Sequence, residues 1–126
     1  MKNIIALVIV AFIICSPAYA DDGIMTQKSH HSVASTADRL EKLLRQKGMR
    51  VFARIDHAAG AKSTGLQLRP TVLLLFGNPK VGTPLMQCKQ QVAIDLPQKA
   101  LIWEDEAGQV WFSYNKPAYL STRHRI

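Results

Sequence analysis

The chain has 126 residues, of which 48% are hydrophobic and 20% are charged, and its formal net charge is +7 at pH 7. This length suits one ordinary domain, whose core can be held by packing without metals or disulfides. The basic residues are scattered along the chain rather than clustered with aromatic side chains, which argues against a nucleic-acid interface. The composition therefore predicts one basic domain that binds no nucleic acid.

The first 20 residues have the three-part layout of a cleavable secretory signal peptide. Lys2 gives a positive start, Ile4 to Ile14 form an apolar run, and Ala18-Tyr19-Ala20 provides a small-residue cleavage site. The apolar run is 11 residues long, whereas a helix needs about 20 to cross a bilayer, so we expect removal rather than anchoring. We therefore expect a mature chain from Asp21 to Ile126 that is periplasmic or secreted and is not attached to a membrane.

Cleavage limits the chemistry that is open to the mature chain. Cys15 leaves with the signal and Cys88 remains alone, so no disulfide can form within the chain in an oxidising compartment. Lys2 also leaves, which lowers the basic count from 16 to 15 against 9 acidic residues and the net charge from +7 to +6. A basic exported domain is suited to anionic partners.

The hydrophobic pattern predicts elements in the order β-α-β-β-α-β-β. Residues 21–31 are polar, and we expect a flexible segment with a short strand around Ile24 to Lys28. The other predicted elements are a helix from Val33 to Leu44, strands at Met49–Ile55 and Thr71–Phe76, a short helix after Thr83, strands at Ala100–Glu104 and Val110–Tyr114, and a last helical turn after Pro117. Such an order indicates an α+β domain of two layers, with helices packed on a largely antiparallel sheet.

Local signals predict where the helices begin and end, and how one strand is buried. Ser35, followed by Asp38, is the predicted cap of the first helix, and Gly48 supplies the left-handed residue after its end. Thr83 is the predicted cap of the second helix, with Pro84 at its first position. The strand Thr71–Phe76 is apolar at nearly every position, which predicts an interior strand covered on both faces.

The segment Gly77 to Thr83, after that strand, is the first candidate for binding. Its glycines permit close approach of the backbone, Lys80 supplies positive charge, and a following helix start would offer free N–H groups to an anion. A nucleotide-hydrolysing loop needs Lys and Ser or Thr directly after its second glycine, and here Thr83-Pro84 follow Gly82. The alternative is structural, with Asn78-Pro79 forming a turn and Thr83 a helix cap.

The second candidate lies at the end of the second strand, where Asp56 and His57 lead into the Ala- and Gly-rich segment 58–65. Neighbouring side chains on a strand point to opposite faces, so these two cannot form a base and its orienting partner without a third residue. Arg69, just before the next strand, can bind a carboxylate with its guanidinium fork. His57 is either a ligand-binding or catalytic residue or a structural histidine that fixes the loop.

Metal binding and covalent chemistry have weaker support. The possible metal donors have neither the number nor the spacing of ligands in a zinc or haem site: His30, His31, His57, His124, Met86 and Cys88. Cys88 is a possible nucleophile, but no sequence feature brings a base to it, and we expect Met86 and Cys88 to pack on a core-facing helix. We expect no metal and no cofactor.

Five segments carry a family resemblance: Ile55 to Ala61, Leu68 to Pro70, Phe76 to Met86, Asp95 to Pro97, and Tyr114-Asn115 with Tyr119-Leu120. The most specific is Phe-Gly-Asn-Pro-x-x-Gly-Thr-Pro at residues 76–84. Through them the chain from about Ser32 to His124 resembles the DUF302 family, whose fold is a TT1751-like α+β domain. The resemblance implies a single domain over residues 32–126 and a homodimer. The family's pattern does not require a cysteine at the position of Cys88. The family's function is unknown.

These observations favour a non-enzymatic module that binds a small anionic ligand. The predicted ligand-binding residues, expected around one cleft, are Asp56, His57, Arg69, Asn78, Lys80 and Thr83. A protein-interaction or dimerisation module is one alternative, and it would present a large exposed apolar face and no cleft. A hydrolase or isomerase with His57 as general base is the other, and it requires a carboxylate within hydrogen-bond reach of His57 and an accessible cavity.

Overall fold

The computed structural model describes residues 21–126, so the predicted signal peptide lies outside the described residues. The elements in chain order are β1 (Ile24–Ser29), α1 (Val33–Gln46), β2 (Arg50–Asp56), α2 (His57–Ser63), β3 (Thr71–Gly77), α3 (Pro79–Cys88), a 3-10 helix (Gln90–Asp95), β4 (Gln98–Glu104), β5 (Val110–Asn115) and α4 (Pro117–His124). The predicted α+β class is confirmed. The structure adds α2 and the 3-10 helix to the predicted order, and the last helical turn is α4.

The five strands form one antiparallel sheet in the order β1-β5-β4-β3-β2. Strand β3 has a neighbour on each side, as the sequence predicts. The helix α1 packs against β2, β3 and β4, and an ion pair between Arg54 Nη1 and Asp38 Oδ1 at 2.5 Å joins it to β2. Leu74 and Ile102 are completely buried beneath it, so the core lies between α1 and one face of the sheet.

The opposite face of the sheet is only partly covered. Residues that lie directly opposite each other in an antiparallel pair share a face, so the register places Leu73, Leu75, Leu101, Trp103 and Trp111 together on this side. All five are half-buried, and the two tryptophan rings stack with centroids 6.3 Å apart. We call this set the open face. The prediction that β3 is covered on both faces is therefore wrong, because an apolar run does not tell helix-covered from half-exposed positions.

A side-chain cap and a glycine set the two ends of the helix α1. Ser32 is its cap, with extended backbone, and its Oγ accepts from Ser35 N at 3.1 Å. The predicted cap at Ser35 is wrong, because that residue already lies inside the first turn. Gly48 follows the helix with a φ of 78°, which an L side chain rarely adopts, so its predicted role is confirmed.

The N-terminal segment 21–31 contributes a strand to the sheet. Strand β1 pairs with β5 along its whole length, which confirms the predicted short strand. Gly23 has a φ of 76° and lies so close to the Tyr119 ring that a Cβ atom would collide with it, while Lys116 N donates to Gly23 O at 2.8 Å. The backbone N–H of Gly23 and then Lys116 Nζ hold the pKa of Asp21 below its usual value. Most side chains of β1 are exposed, so its backbone pairing with β5 holds the strand in the sheet.

Candidate functional site

A cavity of about 380 Å³ opens between the ends of β2 and β3, the helix α3 and the 3-10 helix. Its wall is mainly apolar, and its principal side chains are Phe52, Phe76, Leu85, Met86, Leu96 and Pro97. Asn78, Thr83 and Gln98 add polar groups. Small-molecule sites in proteins are concave, mostly apolar and about 300–1,000 Å³ in volume. The cavity has these properties, and we call it the α3 cavity.

Two glycines and a bulge shape the α3 cavity. A Cβ atom on Gly77 would lie 3.5 Å from the Phe52 ring and 4.0 Å from Pro97, and one on Gly82 would lie 3.7 Å from Leu96. All three neighbours belong to the cavity wall, so any longer side chain at Gly77 or Gly82 would grow toward it. Phe52 lies at a register shift of β2, and such bulges redirect a side chain. The cavity therefore stays open beside Gly77 and Gly82, where a side chain would extend toward its wall.

The segment predicted as an anion-binding loop is the first turn of α3. Asn78 is the cap: its Oδ1 accepts from Lys80 N at 2.9 Å, and its carbonyl oxygen accepts from Val81 N and Gly82 N, both at 2.9 Å. These N–H groups are therefore occupied. Thr83 lies inside the helix, so its predicted capping role is wrong; Asn78-Pro79 supplies the same cap-and-proline signal five residues earlier.

The six residues predicted to share a cleft lie in two groups at opposite ends of β3. Asn78 and Thr83 line the α3 cavity, and Lys80 lies in the same helix without lining it. Asp56, His57 and Arg69 lie at the other end. The pairings Arg50 with Gly77 and Asp56 with Val72 mark the two ends, which are separated by about 20 Å for a seven-residue strand. The structure therefore does not form the single expected cleft.

At the far end of β3, Asp56 and Arg69 are engaged in local structure. Asp56 caps α2, with Oδ1 accepting from Ala59 N at 2.9 Å, and Arg69 Nε donates to Glu104 O at 3.2 Å. His57 is the exposed first residue of α2, and no side-chain hydrogen bond or ion pair involves its ring within residues 21–126. The carboxylate that a His57 general base requires is therefore not in place. An Asp followed by helix-forming alanines was the available signal for α2.

A buried hydrogen bond between residues far apart in the sequence holds one wall of the α3 cavity. His124 of α4 is 4% exposed, and its Nε2 lies 2.5 Å from Asp95 Oδ2. Asp95 also accepts from Arg123 Nη1 at 3.2 Å. Asp95 ends the 3-10 helix, and its neighbours Ala93 and Leu96 line the cavity. The C-terminal helix thus fixes this wall, through residues 29 positions apart.

The predicted metal and thiol residues are dispersed. Within the described part of the chain, no three His, Cys, Asp or Glu side chains lie close enough to hold a metal ion. Met86 is half-buried and lines the α3 cavity, whereas Cys88 is exposed at the end of α3. The expected packing of Cys88 is wrong, because Gly82 and Met86, four residues apart, define the inward side of the helix and Cys88 lies off that side.

The family model for the domain of unknown function DUF302 matches residues 25–126. The chain belongs to the DUF302 family. A DUF302 protein from Bacillus stearothermophilus, known from its crystal structure as an uncharacterized conserved protein, has a TM-score of 0.76 to this chain. The match covers 84% of this chain and 83% of that one at 22% identity, so the two share the fold. The family match includes most of β1, which agrees with its place in the sheet.

Two Brucella proteins carry a closely similar DUF302 segment. The fluoride-specific ion channel FluC 1 of Brucella suis is 51% identical over 106 residues, which are 84% of this chain and 42% of that protein. FluC 2 of Brucella melitensis is 51% identical over 106 residues and 39% of its length. This chain therefore spans about two fifths of these relatives. Among residues 21–126 of the DUF302 chain, no helix is long and apolar enough to cross a membrane.

Proposed function

We propose that this chain is a non-enzymatic small-ligand-binding module, exported by its signal peptide, and that the apolar part of its ligand occupies the α3 cavity. The supporting observation is an apolar cavity of about 380 Å³ that Gly77 and Gly82 leave open. Small-ligand binding remains the predicted class of function, but the proposed binding site is the α3 cavity. Asn78 and Thr83 remain in the proposed site as polar residues of its wall. Asp56, His57 and Arg69 do not belong to it, and apolar side chains form most of the wall.

The wall chemistry sets the expected strength of binding. A molecule that buries about 200 Å² of apolar surface in the cavity gains about 5 kcal/mol at ~25 cal/mol per Å². The loss of translational and rotational freedom offsets part of this gain, and the few polar groups add modestly to it. We therefore expect dissociation constants in the micromolar range for a molecule that matches only the apolar wall.

A neutral fluorescent probe, N-phenyl-1-naphthylamine, tests the cavity directly, because its emission rises when it leaves water. Titration should give saturable binding in the micromolar range. The variant Gly77→Leu should fill part of the cavity and displace about 60–80 Å² of probe contact, or about 1.5–2 kcal/mol, which is roughly ten- to thirtyfold in Kd. Gly60→Leu is the matched control, since a Cβ there meets nothing within 4 Å.

Two results would count against the proposal. One is the absence of saturable probe binding by the folded wild-type protein. The other is an equal effect of Gly77→Leu and Gly60→Leu, because only the former residue points at the cavity wall. Thermal melting of both variants shows that each is folded before binding is compared.

A second candidate function is dimerisation through the open face, and the half-buried state of its five large apolar residues favours it. Five strands at ~4.8 Å spacing and about 20 Å of length give a platform of roughly 480 Å² in projection. A standard interface takes about 800 Å² from each partner, so the proposed dimer uses the whole of this platform. A second copy of the chain is the proposed occupant, in line with the homodimer that the resemblance implies.

Light scattering with size-exclusion chromatography tests this dimer. The wild-type protein should elute as a dimer at micromolar concentration, and Leu101→Asp should convert it to a monomer. Leu43→Asp is the control, because Leu43 is an exposed leucine of α1, away from the open face. A monomeric wild type at 100 micromolar, or a dimer that survives Leu101→Asp, would rule out this interface.

The names of the Brucella relatives suggest a setting in which the module accompanies an ion channel. In those proteins the matched segment accounts for 39–42% of the length. An apolar wall does not suit a bare fluoride ion, because burying a charge without compensating groups is costly. We therefore expect sodium fluoride to change neither probe affinity nor melting temperature beyond the effect of equal sodium chloride. A specific fluoride effect would make fluoride itself the ligand.

A further inference from the structure

We infer that the ligand of the α3 cavity is a small organic anion whose charged head lies between Arg50 and Lys99. This inference rests on the proposed function, because the cavity holds the apolar part of the same molecule. The N–H groups of the first turn of α3, which the sequence predicts as anion contacts, are occupied. The proposed anion contacts are instead two cations on the strands that flank β3.

The register places both cations on one face of the sheet beside a glycine. Arg50 of β2 lies opposite Gly77, and Lys99 of β4 lies opposite Leu75. Directly opposite residues share a face, as do residues two apart on one strand. Arg50 and Lys99 therefore flank Gly77 from the two sides, and the direction of its missing side chain leads to Phe52 and Pro97 in the cavity wall.

Both cations also contact the cavity wall. The Arg50 guanidinium lies 5.8 Å from the centroid of the Phe52 ring. Lys99 Nζ donates to the carbonyl oxygen of Pro97 at 3.2 Å. These contacts place the two positive groups beside the cavity wall, where Arg50 is exposed and Lys99 is half-buried.

The positive charge beside the cavity wall is available to a ligand. Neither Arg50 nor Lys99 takes part in an ion pair within residues 21–126, whereas other basic side chains do: Arg45, Arg54, Lys116, Arg123 and His124. None of the residues that line the cavity is acidic. Two unneutralised cations beside an apolar cavity are complementary to an amphipathic anion.

The arrangement selects one ligand class. An arginine fork binds a carboxylate or sulfonate through two hydrogen bonds, and a lysine adds a point charge. The volume of about 380 Å³ is that of a drug-sized molecule, so the occupant is a free organic anion, such as an aromatic carboxylate. A lipid that remains in a bilayer is not the occupant, because most of its surface would stay outside.

A pair of probes that share one apolar body tests the charged head. 8-Anilinonaphthalene-1-sulfonate differs from N-phenyl-1-naphthylamine by its sulfonate. At low salt we expect the sulfonate probe to bind about five- to tenfold more tightly. Arg50→Gln and Lys99→Gln should each reduce that advantage about threefold and leave the affinity for the neutral probe unchanged. Lys47→Gln, which removes the same charge at an exposed position after α1, is the control and should change neither affinity.

The outcomes separate the two proposals. If the neutral probe binds and the sulfonate probe binds no more tightly, or its advantage survives both substitutions, the head-group site is wrong and the cavity proposal stands. If neither probe binds, both are wrong. Unchanged neutral-probe affinity shows that each variant is folded. Sedimentation with phosphatidylglycerol vesicles that Arg50→Gln abolishes would instead assign the two cations to a membrane surface and overturn the free-anion ligand.

Discussion

Removal of the Asp95 carboxylate should cost this small domain a large part of its stability. In Asp95→Ala, the His124 ring loses its 2.5 Å partner while it is only 4% exposed. A hydrogen bond that involves a charged group contributes about 1.5–3 kcal/mol, and a buried group left without a partner keeps its desolvation penalty. The Arg123 contact adds little, because that side chain is 50% exposed and exposed pairs contribute about 0–1 kcal/mol. We expect a loss of about 2 kcal/mol.

Urea and thermal unfolding measure this loss. For a domain of about 100 residues, 2 kcal/mol corresponds to roughly 8–16 °C in melting temperature, with an unchanged urea m-value. Arg45→Ala is the control, because it removes an ion pair of 2.8 Å whose arginine is 57% exposed, for which about 0.5 kcal/mol or less is expected. If Asp95→Ala and Arg45→Ala lower the free energy of unfolding by the same amount, burial does not govern the strength of these two contacts and the prediction is wrong.

Four further substitutions test the fold. Gly23→Ala should destabilise by about 2 kcal/mol or more, because its φ is 76° and its new Cβ collides with Tyr119; a melting temperature within 2 °C of wild type would contradict this. Ser32→Ala should cost about 1 kcal/mol and Ser35→Ala much less, since only Ser32 caps α1. An indole N–H and two backbone N–H groups lower the pKa of Asp105, so its contribution is present above about pH 4 and is lost as the pH falls through the lowered value. The free energy of unfolding of the wild type should therefore exceed that of Asp105→Asn by more at pH 6 than at pH 2, and a difference that does not change with pH would contradict the assignment.

The sequence predicts elements whose signals lie within the element itself. It does not predict contacts with residues that are far away in the chain. The period of α1 and the positive φ at Gly48 are local, so their prediction holds. The short strand β1 is predicted, but its pairing with β5, more than 80 residues away, is not. The cap at Asn78 and the predicted cap at Thr83 are both followed by proline, and propensity alone does not rank them.

The α3 cavity is less predictable than the fold because apolar side chains and glycines form most of it, and these residues carry no chemical signal in the sequence. Gly77 and Gly82 predict close approach of an anion to backbone N–H groups, whereas the structure places them beside apolar side chains of the cavity wall and occupies those N–H groups. The cations Arg50 and Lys99 belong to different strands, and only the register brings them to either side of Gly77. Without the strand order, neither residue stands out from the other basic residues.

The pairing of β1 with β5 joins the first strand of the domain to its last. An emerging chain therefore cannot complete this sheet until nearly all of its length is available, because the hydrogen-bond partner of the first strand arrives near the end. The Gly23 contacts with α4 close later still. A partly emerged chain thus keeps an unfinished sheet edge. This non-local topology favours slow folding.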